Sequence, residues 1–303
     1  MNNAGRLSAF FSLIACSTSL AGSVETSFDF SRSVIGIDIS IKDKTLYAIL
    51  DTGVDPSIIN LDEAEKLGLK VDRTDSGEAS GFGEGPGVTV FPARIAGLSI
   101  RGHRFTAFDA LAADTAPLTG RDQRRLDAVL GYSFLSNKIV LIDYVEHTLA
   151  ILDGSGKARA IVRTCRTRWR IPLKTFESYP VIPGFRLGEA SGPVTLDTGS
   201  SGGIGLFQAA LDLPGVRTSL VDQGASIRRG ARGESTVENF ILNQPVGFGP
   251  FTLPAGQLVF VHKQPGSAVA RIANVGNMLL AELKIKVLLD YRSRVITFYG
   301  DCL

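Results

Sequence analysis

The sequence predicts an all-β protein with few short helices, folded as two similar lobes. Three observations carry that prediction. An apolar run ends in an Asp-Thr-Gly turn at Ala48-Ile49-Leu50-Asp51-Thr52-Gly53, and the same event recurs at Val194-Thr195-Leu196-Asp197-Thr198-Gly199. Each turn is followed at nearly the same distance by an apolar segment ending in glycine: Gly131 stands 80 positions after Asp51, and Gly276 stands 79 after Asp197. Between these landmarks short β-like runs alternate with glycine-rich turns, and only two or three stretches per half have helical spacing. From average residue usage, one Asp-Thr-Gly arises in on the order of one in twenty chains of this length. Two of them with matched downstream landmarks make an internal duplication.

In chain order, residues 1–21 come first and have the character of an export signal. Arg6 precedes an apolar run at 7–15, too short to cross a bilayer and suited to a signal core. Two processing routes are open. Cleavage after Ser19-Leu20-Ala21 would release a soluble chain to the bacterial periplasm. Alternatively, Leu13-Ile14-Ala15-Cys16 resembles a lipoprotein box, which would leave a lipidated Cys16 holding the protein to a membrane on its periplasmic side.

The first lobe is expected over residues 30–155. Runs at 34–41 and 45–50 form two strands around the polar Lys42-Asp43-Lys44 turn. After the first Asp-Thr-Gly, Asn60 is placed to cap a short helix at 61–67, and Gly68 to close it. Gly81-Phe82-Gly83-Glu84-Gly85-Pro86-Gly87 has four glycines in seven residues, the mark of a hairpin tip that needs unusual backbone angles. Strands at 88–91, 98–100 and 104–108 follow, then Val129-Leu130-Gly131, a short helix at 132–135, and a strand pair at 139–143 and 148–152.

Asp153-Gly154-Ser155-Gly156-Lys157 is the natural linker to a second lobe over 160–303. Strands at 169–173 and 194–196 lead to the second Asp-Thr-Gly, and a short helix is expected at 206–211. The tip Arg228-Arg229-Gly230-Ala231-Arg232-Gly233 stands where the first half has its glycine hairpin. Asn274-Val275-Gly276, a helix at 277–280 and strands at 287–291 and 295–298 complete the copy. Cys165 and Cys302 lie at the start and end of this half. A bridge between them would tie its first strand to its last; two unpaired buried thiols are the other reading. In the run from Arg163 to Arg170, Arg166, Arg168 and Arg170 share one strand face, expected to be solvated.

Composition excludes several classes. Apolar residues are 44% and charged residues 20%, which is globular. A net charge of +2 with no basic helix gives no basis for nucleic-acid binding. The three histidines, His103, His147 and His262, are scattered, so neither a metal site nor another cofactor is expected.

The duplicated motifs resemble those of the pepsin/retropepsin-type aspartic proteases, and most of all bacterial exported aspartyl proteases with two retropepsin-like halves in one chain. The resemblance runs from about residue 34 to 300. It implies a bilobal aspartic protease fold, two retropepsin-like β-barrel lobes related by pseudo-twofold symmetry. It also implies an endopeptidase in which Asp51 and Asp197 form the catalytic dyad, acting on a protein or peptide substrate as a monomer. Thr52, Gly53, Thr198, Gly199 and Ser200 would support the catalytic loops, with the two threonines cross-linking them. Phe82, Gly83, Arg229 and Gly230 would belong to the flaps, and Leu130, Gly131, Val275 and Gly276 would pack beneath the loops. Val54 and Asn274 depart from the family pattern, and the first flap has Phe82 and no tyrosine.

Two carboxyl groups in contact cannot both ionise at low cost, so they share a proton. The charged member can then activate a water while the protonated one donates to a peptide carbonyl. Two other readings stand beside this. A non-catalytic peptide-binding relative would keep the cleft without turnover. Gly199-Ser200-Ser201-Gly202-Gly203 also matches the G-x-S-x-G nucleophile elbow, with His262 downstream for Ser201, but that fold alternates many helices with its strands. Arg228, Arg229 and Arg232 at the second tip point to substrates with acidic residues near the scissile bond, or else to a solvated loop.

Overall fold

A computed structural model describes residues 22–119, 124–262 and 271–302; the expected signal segment and Cys16 lie outside the described residues. The chain forms two curled sheets, one per lobe, and a third sheet to which both lobes contribute. In the first lobe the neighbouring strands run Leu98–Ile100, Gly36–Ile41, Lys44–Leu50, Ala128–Leu130, Ser57–Asn60, Phe108–Ala113, Val88–Ile95. In the second they run Val246–Phe248, Tyr179–Leu187, Ala190–Leu196, Ala273–Val275, Ile204–Leu206, Leu258–Val261, Gly233–Leu242, the same order position for position. The duplication seen in sequence is therefore a duplication of topology, in a mostly β architecture.

The burial patterns follow from this layering. Gly36–Ile41 alternates, burying Ile37, Ile39 and Ile41 while Asp38 faces solvent, because only one side of the strand is covered. Lys44–Leu50 is buried continuously from Leu46 to Leu50, because it is central and packed on both faces. The core carries Leu50, Ile59, Leu130 and Phe134 under the first turn, and Leu196, Ile204, Val275 and Leu280 under the second. Fully burying one such side chain contributes roughly 1.5–3 kcal/mol.

The shared sheet has the order Val24–Ser27, Thr148–Leu152, Ile139–Asp143, Lys286–Asp290, Val295–Cys302, Cys165–Pro172. The lobes meet at its centre, where Asp143 stands opposite Lys286 and their side chains pair at 2.6 Å in a buried salt bridge. At one edge Cys165 stands opposite Cys302, and the two form a disulfide. Arg166, Arg168 and Arg170 alternate outward into solvent along Cys165–Pro172.

The helix Leu61–Lys66 is capped as expected: the Asn60 side chain accepts a hydrogen bond from the Glu63 amide, and Gly68 takes a left-handed φ of 57°. Other elements differ from the sequence expectation. The strand expected at 104–108 is two strands, His103–Phe105 and Phe108–Ala113, belonging to different pairings. The linker is partly helical: a 3-10 turn at Ser155–Lys157 runs into a helix at Ala158–Val162, where Ala158 and Val162 find an apolar seat on Ile139 and Leu141. The helix expected at 206–211 is a 3-10 helix, Gln208–Asp212. The strand Tyr179–Leu187 escaped a propensity reading because Pro180 and Pro183 interrupt it. Its pairing shifts register between Ile182 and Phe185, the kind of irregularity at which a strand tolerates proline.

Candidate active site

Each Asp-Thr-Gly turn leaves the end of a central strand and is held from beneath by a parallel neighbour. The Asp51 amide donates to the Leu130 carbonyl at 3.0 Å, and the Asp197 amide donates to the Val275 carbonyl at 2.9 Å. Gly131 and Gly276 sit directly below the loops, against the carbonyls of Val54 and Ser200. Within each turn the carboxyl is fixed locally. Asp51 Oδ1 accepts from the Gly53 amide at 2.7 Å, and Asp197 Oδ1 accepts from the amides of Gly199 and Ser200 at 2.9 and 3.1 Å.

The two turns are then cross-linked through buried threonines. Thr52 Oγ1 donates to the Leu196 carbonyl and accepts from the Thr198 amide, at 2.9 and 3.1 Å. Thr198 Oγ1 donates to the Leu50 carbonyl and accepts from the Thr52 amide, at 2.9 and 3.0 Å. Four hydrogen bonds between chain segments 146 residues apart in sequence thus fix one aspartate against the other. The approach is so close that a Cβ on Gly199 would collide with the Asp51 carboxyl, so glycine is required there. Asn277, missed in the sequence reading, braces the second loop: its side-chain amide donates to the Thr198 and Ser200 carbonyls, and Tyr144 donates to its oxygen at 2.7 Å. An asparagine following the glycine of the packing segment was the available signal.

The electrostatics of the pair follow from this geometry. Burial and then the neighbouring charge of Asp197 push the Asp51 carboxyl well above the usual carboxylate range. Asp197 is also raised by burial, but Asn274 opposes the shift by donating from Nδ2 to its Oδ2 at 2.8 Å. Asn274 is in turn held by Thr195, which donates to its oxygen at 2.8 Å, while Arg271 donates to the Thr195 hydroxyl at 3.0 Å. The departure at Asn274 thus places a donor on one aspartate alone.

The flap residues Phe82, Gly83 and Gly230 come together. The first tip pairs with the hairpin made by Leu220–Gly230 and Gly233–Leu242: the Arg232 amide donates to the Phe82 carbonyl, and the Gly85 amide to the Arg232 carbonyl, at 3.0 and 2.8 Å. Arg232 Nε adds a bond to the Gly85 carbonyl, and Ser235 one to the Glu84 carboxylate. A Cβ at Gly230 would press into Phe82, which accounts for glycine at that tip. Arg229 does not join the cleft; it pairs with Glu234 at 2.6 Å on the exposed side. Ser201 is exposed, and His262 is enclosed by Phe207, Phe260 and Phe82 with Nε2 unpartnered, so no serine–histidine pair forms. Among the described residues no group of three His, Cys, Asp or Glu side chains gathers as a metal cluster.

Residues 37–134 match the aspartyl protease family model, a stretch that holds the first turn, flap and packing segment. Among solved structures, basic 7S globulin from soybean has a similar fold, with a TM-score of 0.53 over 93% of this chain and 95% of that one at 10% identity. No curated protein matches the chain in sequence.

Proposed function

We propose that the chain is an aspartic endopeptidase that hydrolyses peptide bonds of an exported or periplasmic protein with a water activated by Asp51 and Asp197. The observation that carries this reading is the pair of carboxyl groups delivered by matched strand ends and locked together by Thr52 and Thr198. Buried in contact, the pair holds one proton between them. Backbone amides act on both carboxyls, but Asn274 donates to Asp197 alone and favours the negative charge there, so the shared proton resides mainly on Asp51. A water bridging the carboxyls gives a proton to Asp197 as its oxygen attacks the peptide carbonyl. Asp51 donates to the carbonyl oxygen to give a tetrahedral diol, which collapses as Asp197 passes its proton to the departing nitrogen and a diol hydroxyl returns one to Asp51. The joined flap tips roof the cleft, and their separation admits the substrate.

Both aspartates come from one chain, which supports action as a monomer. The exported setting, soluble or held through Cys16, rests on the N-terminal pattern. The test is cleavage of a denatured protein by the mature chain from acid to neutral pH, with and without a pepstatin-type inhibitor, alongside Asp51→Asn and Asp197→Asn. Inhibitor-sensitive cleavage lost in both variants is expected; cleavage that survives either substitution would sink the dyad mechanism. A peptide-binding protein without turnover is the second reading, favoured by the hydrogen-bonded closure of the tips. Binding of peptide by the wild type with no cleavage at any pH would select it.

A further inference from the structure

On the side of the site that carries Asp197, the second lobe holds two half-buried arginines that the dyad chemistry does not use. Arg228 comes from the strand Leu220–Gly230, and its guanidinium lies over the Phe260 ring at 4.1 Å. Arg271 precedes the strand Ala273–Val275 and lies over Phe207 at 4.7 Å and Tyr179 at 5.3 Å. His262 stands between them, stacked on Phe207 at 5.1 Å and edge-on to Phe260 at 4.9 Å. Burial, followed by the charges of Arg271 and Arg228, lowers His262 to about 4, so the imidazole is neutral at physiological pH.

The pocket belongs to the cleft. The flap residue Phe82 closes edge-on over His262 at 5.7 Å, and the Tyr179 ring presses on Gly53 of the first catalytic turn. Gly202, just past the second turn, would put a Cβ 3.4 Å from the Arg228 guanidinium. Arg271 reaches Asp197 through Thr195 and Asn274.

Three of its polar atoms, Arg228 Nε, Arg271 Nε and His262 Nε2, are buried without a hydrogen-bond partner. Neither arginine has a carboxylate partner among the described residues. Each such unsatisfied group destabilises the fold, and the aromatic faces offset that cost only in part. Two cations that both act on one neutral ring, each with a spare donor, form a receptor for an anion small enough to fit under the flap. The only ligand class that the proposed reaction brings there is a polypeptide, whose anionic groups are carboxylates.

We infer that this pocket is a specificity subsite for the side-chain carboxylate of a Glu or Asp residue close to the scissile bond, with Arg228 and Arg271 as its ligands. The inference rests on the peptide-cleft reading of the site. It moves the acidic preference read from the second tip away from Arg229, which is solvated, and Arg232, which is committed to the flap junction, and onto residues inside the cleft.

The test separates binding from turnover. Fluorescent, C-terminally amidated peptides with a single Glu or Gln, scanned through each position of an otherwise neutral sequence, are titrated onto the Asp51→Asn protein. At one position Glu binds about tenfold tighter than Gln, the worth of one charge-assisted contact. That ratio collapses with Arg228→Met or Arg271→Met in the same background. Arg228→Glu reverses the preference toward Lys at the same position, a gain that misfolding cannot produce. Equal binding of Glu and Gln at every position overturns the inference, as does a preference that survives loss of both arginines. A preference confined to neutral peptides with a free terminal carboxylate overturns it too. If Asp51→Asn discriminates while the wild type cleaves nothing, the subsite stands and the protease reading falls. If the wild type cleaves both peptides equally and binding does not discriminate, the reverse holds.

Discussion

In the first lobe, Ile49 and Val129 lie side by side on the parallel strand pair that ends in Asp51; at the matching register of the second lobe stand Thr195 and Asn274. The backbone does the same work in both places, since each aspartate amide donates to the residue before the packing glycine. The side chains do not. Ile49 and Val129 add no side-chain donor to the backbone amides that already offset the burial of Asp51, whereas Asn274 donates to Asp197. The hairpins differ in the same sense: the first closes with glycines, while the second carries Arg228 and Arg229 on its 11-residue strand and Arg232 in its turn. A symmetric scaffold can therefore hold two identical carboxyls in unequal environments, which is what a proton shared between them requires to have a preferred owner.

The largest effect that tests this difference is at the dyad itself. Asp51→Asn and Asp197→Asn are each expected to reduce cleavage roughly a thousandfold, the scale of losing a proton-transfer group. Their stabilities should differ in pH dependence. The Asp51 carboxyl is raised on folding, so the stability it contributes is complete below the ordinary carboxylate range and is lost as pH rises through the folded value. Replacing it by neutral Asn removes that loss. Thermal melting should show Asp51→Asn gaining on the wild type as pH increases and matching it near pH 3; a gain constant with pH would mean that Asp51 is not titrating in contact with Asp197.

The threonine cross-links come next, and here the lobes are expected to be equal. Thr52→Val and Thr198→Val each delete two buried hydrogen bonds and strand an amide and a carbonyl. Each should cost on the order of 2–4 kcal/mol in urea unfolding, with no difference between them beyond error. A markedly unequal pair would mean that one lobe carries the junction. Asn274→Val, which rewrites the second lobe with the residue of the first, should act on chemistry more than on stability. Without the Asn274 amide the charged form of Asp197 is less favoured, so its carboxyl rises and the acid limb of kcat/KM moves to higher pH by about one unit. An unmoved acid limb would leave Asn274 as a packing residue only.

The parts of the molecule written locally were readable from the chain. Asp51-Thr52-Gly53 and Asp197-Thr198-Gly199 are turn signals behind apolar strands, and the glycines at 131 and 276 repeat at a nearly fixed offset. Asn60 and Gly68 announce a helix by their own capping chemistry. The parts that depend on long-range meeting were not readable. Pro180 and Pro183 argue against a strand until the register shift that accommodates them is seen. The helix Ala158–Val162 forms because the shared sheet supplies an apolar seat. Arg228 lies on one strand, His262 just past a second and Arg271 just before a third, and no spacing rule announces that Phe207 and Phe260 bring them together.

Adjacent residues on one strand give the finest version of the contrast. Arg228 turns inward onto Phe260, and Arg229, one position on, turns outward to Glu234, as strand alternation demands. With side chains more than half exposed, the Arg229–Glu234 pair is worth at most about 1 kcal/mol and is screened by salt. Arg229→Glu should therefore leave both the melting temperature and the ratio of cleavage between Glu- and Gln-containing peptides essentially unchanged, while the same substitution at Arg228 reverses that ratio. Peptide profiling of the two variants side by side checks this. A shift in preference at Arg229 as large as at Arg228 would place the recognition of acidic residues on the rim of the flap, driven by long-range attraction, and would remove the need for a buried subsite.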